Sequence, residues 1–165
     1  MVFKLDTEDI FGGQVEDGVY EVIINHATED ATPSGAEYIN VDLIIRNDVN
    51  QKFKNAHIFH KIWKGKESNQ YNAKSINTIG KAVGLANGKE YNSLTEVLED
   101  FALKTCLVSV KNETSEYNGK TYNNLNVKGW AESKIPGQSN HKFATKDVAQ
   151  QSGQTIDISD SDLPF

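Results

Sequence analysis

Residues 38–46, with the sequence YINVDLIIR, contain the clearest structural pattern in the chain. Apolar side chains recur at every second position, and most of the intervening residues are polar. The apolar positions are Ile39, Val41, Leu43 and Ile45. Successive side chains of a β-strand point to opposite faces, so this alternation is typical of a strand with one buried face. The stretch therefore predicts a strand that packs one face against a core.

Four other stretches are rich in apolar, β-branched and aromatic residues and also predict strands. They are residues 19–26 (VYEVIINH), 56–63 (AHIFHKIW), 104–114 (KTCLVSVKNET) and 121–130 (TYNNLNVKGW). Between the third and fourth of the five predicted strands the apolar spacing becomes helical, and Ser93 with Glu96 matches a capping box. Asn118 and Gly119 predict a type I′ hairpin turn, because both residues tolerate positive φ.

The resulting order is three strands, one helical segment and two strands. This is the order of the OB-fold, a five-stranded Greek-key barrel with its helix between strands three and four. We therefore expect a mostly β domain in residues 1–132, although a small α+β sandwich can have the same order. From Ser133 the chain is rich in Ser, Gly, Gln and Asn. Such a segment buries little apolar surface, so we expect residues 133–165 to form a disordered, flexible tail.

The distribution of charge is more informative than the net charge of −6. Residues 46–81 contain eight basic residues and only two acidic ones, Asp48 and Glu67. A local basic surface, rather than the charge of the whole chain, determines contact with phosphates. The single cysteine, Cys106, forms no intramolecular disulfide, and no signal sequence or membrane-spanning apolar run is visible. We therefore expect a cytoplasmic protein without a membrane partner.

Aromatic and basic residues alternate on the third predicted strand, where period-two geometry places Phe59, Lys61 and Trp63 on one face. Burial of Ile58 and Ile62 favours an outward orientation for these three, although either aromatic alone could equally belong to the core. OB-folds bind oligonucleotides on strands two and three and on the loops between strands one and two and between strands four and five, here residues 28–36 and 113–120. The candidate DNA-binding residues are Tyr38, Arg46, Phe59, Lys61, Trp63, Lys64, Tyr122, Lys128 and Trp130.

Signals for catalysis or metal binding are weak. His57 and His60 are three positions apart and therefore point to opposite faces of a strand, and no cysteine pair completes a zinc site. Residues 84–90 (GLANGKE) are too short for a phosphate-binding loop. Asp42 and Asp48 leave open a metal-dependent nuclease on an OB scaffold. We expect no enzymatic activity, no metal and no cofactor.

The last residues, DISDSDLPF, combine acidic side chains with an apolar end. Proline fixes its own φ and favours an extended preceding residue, which preorganises the two flanking apolar side chains for a pocket. This ending resembles the acidic tip of bacterial single-stranded DNA-binding proteins. The resemblance implies a protein-docking tip formed by Asp157, Asp160, Asp162, Leu163, Pro164 and Phe165.

The body of the chain resembles a family of short proteins from phages of Gram-positive bacteria, described as single-stranded DNA-binding proteins or as a domain of unknown function. The resembling stretches are residues 18–22 (GVYEV), 34–43 (SGAEYINVDL), 46–49 (RNDV) and 117–119 (YNG). The resemblance covers most of residues 1–130. It implies an OB-fold, DNA binding and a bacterial host cell.

These observations predict a protein that coats single-stranded DNA during phage DNA replication or recombination. Its tip would recruit replication or recombination proteins. A protein-binding adaptor without nucleic-acid binding is the main alternative, and the nuclease is a weaker one. Self-association into a homo-oligomer is left open by the sequence.

Overall fold

The computed structural model describes residue 5, residues 15–135 and residues 137–143. Its elements are β1 (Gly18–Ala31), β2 (Glu37–Ile45), β3 (His57–Trp63), α1 (Ala73–Ala82), α2 (Leu94–Phe101), β4 (Thr105–Tyr117) and β5 (Lys120–Ala131). The strands form one antiparallel sheet in the order β3-β2-β1-β4-β5. A fourth strand that returns to lie beside the first defines a Greek key.

This topology, with the helices in the connection between β3 and β4, confirms the predicted OB-fold. The predicted helical segment consists of two helices, because Gly84 and Gly88 adopt positive φ between them. The Ser93 hydroxyl accepts a hydrogen bond from the Glu96 backbone N–H at 3.3 Å, as the capping box predicts. Asn118 and Gly119 both have positive φ, in agreement with the predicted turn.

The hairpin strands are longer than the sequence pattern indicated. Residues 28–31 extend β1 and residues 113–117 extend β4, so the predicted loops at 28–36 and 113–120 are shorter than expected. The exposed ends of these strands are polar and do not show the apolar alternation that marked the buried parts. Cross-strand hydrogen bonding to β2 and β5 nevertheless continues there.

The core is built from the apolar face predicted for β2. Ile39, Val41, Leu43 and Ile45 are fully buried. They pack with Val22 and Ile24 of β1, Ile58 and Ile62 of β3, Cys106 and Val108 of β4, and the helical residues Ile79, Leu98 and Phe101. Each fully buried side chain of this kind contributes about 1.5–3 kcal/mol relative to exposure. The pattern that identified β2 therefore also identifies the centre of the barrel.

Arg46 follows β2 and is buried, with 2% of its surface exposed. Its Nε donates to Asp48 Oδ1 at 2.9 Å and its Nη2 donates to Asp48 Oδ2 at 2.6 Å. Its Nη1 lies 3.6 Å from Oε1 of Glu21, which is also buried. A guanidinium held in this way is not accessible to a DNA phosphate. The prediction that Arg46 contacts DNA is therefore corrected. Arg46 is a buried cation that pairs with carboxylates inside the protein.

The segment after β5 is hydrogen-bonded to the same network. The Ser133 hydroxyl donates to Glu21 Oε1 at 2.6 Å, and the Lys134 N–H donates to Glu21 Oε2 at 2.8 Å. Farther along, the Asn140 N–H donates to Asp48 Oδ2 at 2.8 Å. The described residues from Ser133 up to 143 are therefore tied to the barrel by hydrogen bonds. The predicted docking tip, residues 157–165, lies outside the described residues.

Within the described part of the chain, neither α1 nor α2 is long and apolar enough to cross a membrane.

Asp48→Asn tests the importance of the buried network for stability. Removing one partner of a buried ion pair costs about 3–5 kcal/mol when no other partner remains, and Glu21 lowers that cost here. We expect the free energy of unfolding in urea to fall by about 2–3 kcal/mol. Glu37→Gln is the matched control, because it removes an exposed pair with Lys64 that is worth at most about 1 kcal/mol. Equal effects of the two substitutions would contradict the assignment.

The ion pair of Asp48 should also make the stability of the protein depend on pH in the acid range. Its hydrogen bonds to the Arg46 guanidinium lower the pKa of Asp48 from 3.8 to about 2. Because the folded pKa lies below the unfolded one, this stabilisation is complete above about pH 5 and is lost as the pH falls towards 2. Between these limits, the stability of Asp48→Asn should depend less on pH than that of the unaltered protein. Parallel urea titrations across this range measure the difference.

Candidate nucleic-acid interface

An exposed aromatic and cationic surface covers the outer face of β2 and β3. Phe59 is 54% exposed and Trp63 is 50% exposed, and Lys61 lies exposed between them. Ile58 and Ile62 point into the barrel and are 1% and 6% exposed. The predicted orientation of β3 is therefore confirmed. Together with Tyr38 of β2, these three outward residues are called the β2–β3 surface below.

One end of the β2–β3 surface is a cluster of two rings and one ammonium group. Tyr38 and Trp63 are paired across the strands, and their ring centroids lie 4.8 Å apart at an interplanar angle of 44°. Lys61 Nζ lies 5.0 Å from the Tyr38 centroid and 5.9 Å from the Trp63 centroid. Lys61 has no carboxylate partner within the described residues. The cluster thus presents π-faces beside a cation that is not neutralised by an ion pair.

The other end is positioned by a buried carboxylate. The His57 ring stacks on Phe59, with centroids 5.8 Å apart and an interplanar angle of 15°. His57 Nδ1 is hydrogen-bonded to Asp42 Oδ1 at 2.7 Å, and Asn25 Nδ2 donates to Asp42 Oδ2 at 3.0 Å. His26 Nε2 lies 3.7 Å from Asp42 Oδ2. Asp42 therefore fixes the ring that supports Phe59.

His57 was not among the predicted DNA-binding residues, because the sequence suggested only a comparison with metal sites. Its position on the outward face of β3, two residues before Phe59, was the available signal. Asp42 and Asp48 belong to separate hydrogen-bond networks, one with His57 and one with Arg46. Over residues 15–135 and 137–143, no group of three or more potential ligands forms a metal site.

A groove of about 720 Å³ runs between the free edges of the sheet, β3 and β5. On the β3 side it is lined by Phe59, Lys61 and Trp63, and on the β5 side by Lys128, Asn123, Asn124 and Asn126. The asparagines were not predicted, although the sequence NNLN is visible in β5. The groove extends the β2–β3 surface with polar groups that can hydrogen-bond to bases or sugars.

Two predicted cations are partly neutralised. Lys128 Nζ lies 3.2 Å from Glu113 Oε1. Hydrogen bonds from Asn126 and Lys128 lower the pKa of Glu113 below its ordinary value. Lys64 Nζ donates to Glu37 Oε1 at 2.9 Å and lies outside the residues that line the groove. Both lysines therefore contribute less positive potential than Lys61.

Tyr122 is exposed on the β4–β5 hairpin, where it pairs with Ser115. It does not line the groove between β3 and β5. The structure therefore does not place Tyr122 with the β2–β3 surface.

Trp130 faces the core instead of the side shared by Tyr122 and Lys128. Ser109 pairs with Gly129 and Val110 pairs with Val127, so Lys128 is the extra residue of a β-bulge. A bulge shifts the alternation of side chains by one residue. Trp130 consequently pairs with buried Val108 and packs against the core. The prediction that Trp130 contacts DNA from the outer face is therefore corrected.

The ring of Trp130 contacts a histidine of β3 across the seam of the barrel. The ring centroids of His60 and Trp130 are 5.3 Å apart at an interplanar angle of 73°. Burial lowers the pKa of His60 below its ordinary value. His60 and His57 point to opposite faces, as the strand spacing predicted.

The two tryptophans should respond differently to truncation. Trp130→Ala removes core packing and should lower the free energy of unfolding by about 2–3 kcal/mol, because the ring is only partly buried. Trp63→Ala removes a half-exposed ring and should cost less than about 1 kcal/mol. Urea unfolding of both variants measures the difference. A larger loss for Trp63→Ala would show that the assignment of the two faces is wrong.

Comparisons with known proteins identify a family but no function. No curated protein matches the chain. A solved structure described as "Yeast RPA bound to ssDNA" has a TM-score of 0.36 and 10% sequence identity, over 88% of this chain and 90% of that chain. This similarity is too low to carry an argument. A family model matches residues 3–140, and the chain therefore belongs to the family described as "Protein of unknown function (DUF669)".

Proposed function

We propose that this protein binds single-stranded DNA on the β2–β3 surface and along the adjoining groove. The observation that carries this proposal is the pair of half-exposed rings, Phe59 and Trp63, on the same face of β3 as Lys61, with Tyr38 packed beside Trp63. Bases of a single strand expose π-faces, which stack on aromatic side chains with about 1–3 kcal/mol per base. Each nucleotide also brings a phosphate that Lys61 can contact. The arrangement thus matches the two repeating groups of a single strand.

The position of this surface in the fold supports the same proposal. OB-folds use strands two and three to bind oligonucleotides and oligosaccharides. Large aromatic side chains that stay half exposed in a well-packed barrel favour a binding role. Stacking on these rings needs unpaired bases, so single strands are favoured over duplex. Most of the contacts do not depend on base identity, so we propose binding without strong sequence preference.

The biological role is proposed from the resemblances described above. The protein would coat exposed strands in phage replication or recombination in the cytoplasm of a bacterial host. Its acidic tip would recruit replication or recombination proteins. This role needs neither catalytic turnover nor a cofactor.

Binding to oligo-dT at several salt concentrations tests the proposal. If about four phosphates are contacted, log K should fall with log salt at a slope near −3, because single strands release about 0.7 counterion per phosphate. Duplex of the same length should bind more weakly. Equal or tighter binding to duplex would contradict the single-strand proposal, and absence of any binding would favour the protein-binding adaptor.

Substitution of the exposed rings locates the interface. Phe59→Ala and Trp63→Ala should each weaken binding to oligo-dT by about 1–3 kcal/mol if a base stacks on the ring. Val19→Ala is a matched control, because Val19 is 60% exposed and lies outside the β2–β3 surface and the groove. Fluorescence anisotropy measures the affinities, and thermal melts verify folding. Unchanged affinity in both aromatic variants would place the interface elsewhere.

Deletion of residues 157–165 tests the recruitment role separately. We expect binding to oligo-dT to stay the same or become slightly tighter, because an acidic segment competes with phosphates for basic groups. Capture of partners from host lysate by the DNA-loaded protein should be lost. Deletion of Phe165 alone should have the same effect, because removing one large anchor commonly costs more than about 2 kcal/mol. If the full-length protein and both deletion variants capture the same set of proteins, the tip is not a docking motif.

A further inference from the structure

A smaller pocket lies beside the His57 end of the β2–β3 surface. Its volume is about 260 Å³, and its lining includes Ile44, Asn55, His57, His141 and Phe143. The rings of His141 and Phe143 lie 4.8 Å apart at an interplanar angle of 75°. The pocket therefore combines aromatic, aliphatic and amide groups, and two of its rings come from the segment that follows β5.

This segment is held in place by hydrogen bonds between backbone groups and side chains, which join it to the β2–β3 loop. The Asn47 N–H donates to His141 Nδ1 at 3.0 Å. Asn47 Nδ2 donates to the Lys142 carbonyl at 2.7 Å, and the Lys142 N–H donates to Asn47 Oδ1 at 2.9 Å. The Asn140 N–H is bound by Asp48, which also holds Arg46. The wall of the pocket is thus preorganised by the barrel.

The pocket is continuous with the β2–β3 surface through one shared ring. His57 lines the pocket and stacks on Phe59. Its orientation is fixed by the hydrogen bond to Asp42. A strand that crosses Trp63 and Phe59 would therefore reach the pocket next.

The size and chemistry of the pocket fit a single base. Pockets for drug-sized ligands have volumes of roughly 300–1,000 Å³, so this one suits a smaller group. Asn55 Oδ1 accepts a hydrogen bond from Asn47 Nδ2 at 2.8 Å. Asn55 Nδ2 has no hydrogen-bond partner in the described part of the chain and can donate to the edge of a base. Lys142, also in the lining, brings a cation for the adjacent phosphate.

We propose that this pocket receives one unstacked nucleobase at the end of the single-strand path. The segment around His141 and Phe143 is then part of the nucleic-acid interface and not only a connection to the tip. This inference rests on the proposed function, because it extends the same interface by one nucleotide. Unstacked bases held between aromatic side chains and read at their edges are common in single-strand recognition.

A length series of dT oligomers tests the pocket with full-length protein. Phe143→Ala should leave the affinity for the shortest bound oligomers unchanged. It should lower the affinity for the longest oligomers about 5-fold or more, which is equivalent to about 1 kcal/mol of stacking. As the oligomer becomes longer, the affinity of the Phe143→Ala variant should therefore stop rising at a shorter oligomer length than the affinity of the unaltered protein. Ile135→Ala is the control, because it alters an exposed apolar residue of the same segment outside the pocket.

A second variant is needed because Phe143→Ala could also disturb the packing of the segment that follows β5. Asn55→Asp keeps an acceptor for Asn47 but replaces the free donor with an anion, and it should also weaken only the longer oligomers. Loss of affinity at every length, or no loss at any length, in both variants would overturn the pocket assignment. Weaker binding by Phe59→Ala at all lengths shows that the main surface works independently of the pocket. If the unaltered protein binds no oligomer, the proposed function itself fails.

Discussion

Burial of Ile58 and Ile62 in the barrel fixes the side-chain alternation of β3, and the candidate interface depends on it. Side chains of a strand alternate between faces, so the two isoleucines force Phe59, Lys61 and Trp63 outward. A slip of one residue would bury Lys61 and expose the isoleucines, at a cost of several kcal/mol for the charge alone. The same apolar contacts that stabilise the domain therefore also display the rings and the cation.

The buried Arg46 guanidinium connects the core of the barrel to the periphery of the interface. It pairs with Asp48 and lies near Glu21, and both carboxylates also accept hydrogen bonds from the segment that follows β5. That segment carries His141 and Phe143 to the end of the β2–β3 surface. The sequence suggests that Arg46 contacts phosphate. In the structure, its guanidinium instead helps to position the backbone of the segment that follows β5. The proposed recognition groups are instead the rings of the β2–β3 surface, Lys61 and the asparagines of β5.

The sequence predicted the fold because period two, turn chemistry and a capping box are local signals. It also predicted the orientation of Phe59 and Trp63, since Ile58 and Ile62, the residues that precede them, both need burial. Trp130 was placed on the wrong face because a bulge at Lys128 shifts the alternation. Gly129, an isolated glycine inside the strand pattern, was the local signal for that bulge. Arg46 was misassigned because Glu21 and Ser133, which help to enclose it, are distant in sequence, although Asp48 is only two residues away. The contacts of Ser133 and His141 are likewise long-range and polar, so composition alone suggested a flexible tail.

Amide and side-chain chemical shifts in a titration with oligo-dT test the central claim most directly. The account predicts that perturbations concentrate on β3 (His57–Trp63), the facing part of β2 and the edge of β5, including the indole N–H of Trp63. Residues of α1 and α2, on another part of the barrel, should remain unchanged. Saturable shifts confined to the helices, with β3 unaffected, would contradict the assignment of the β2–β3 surface as the site of single-strand binding.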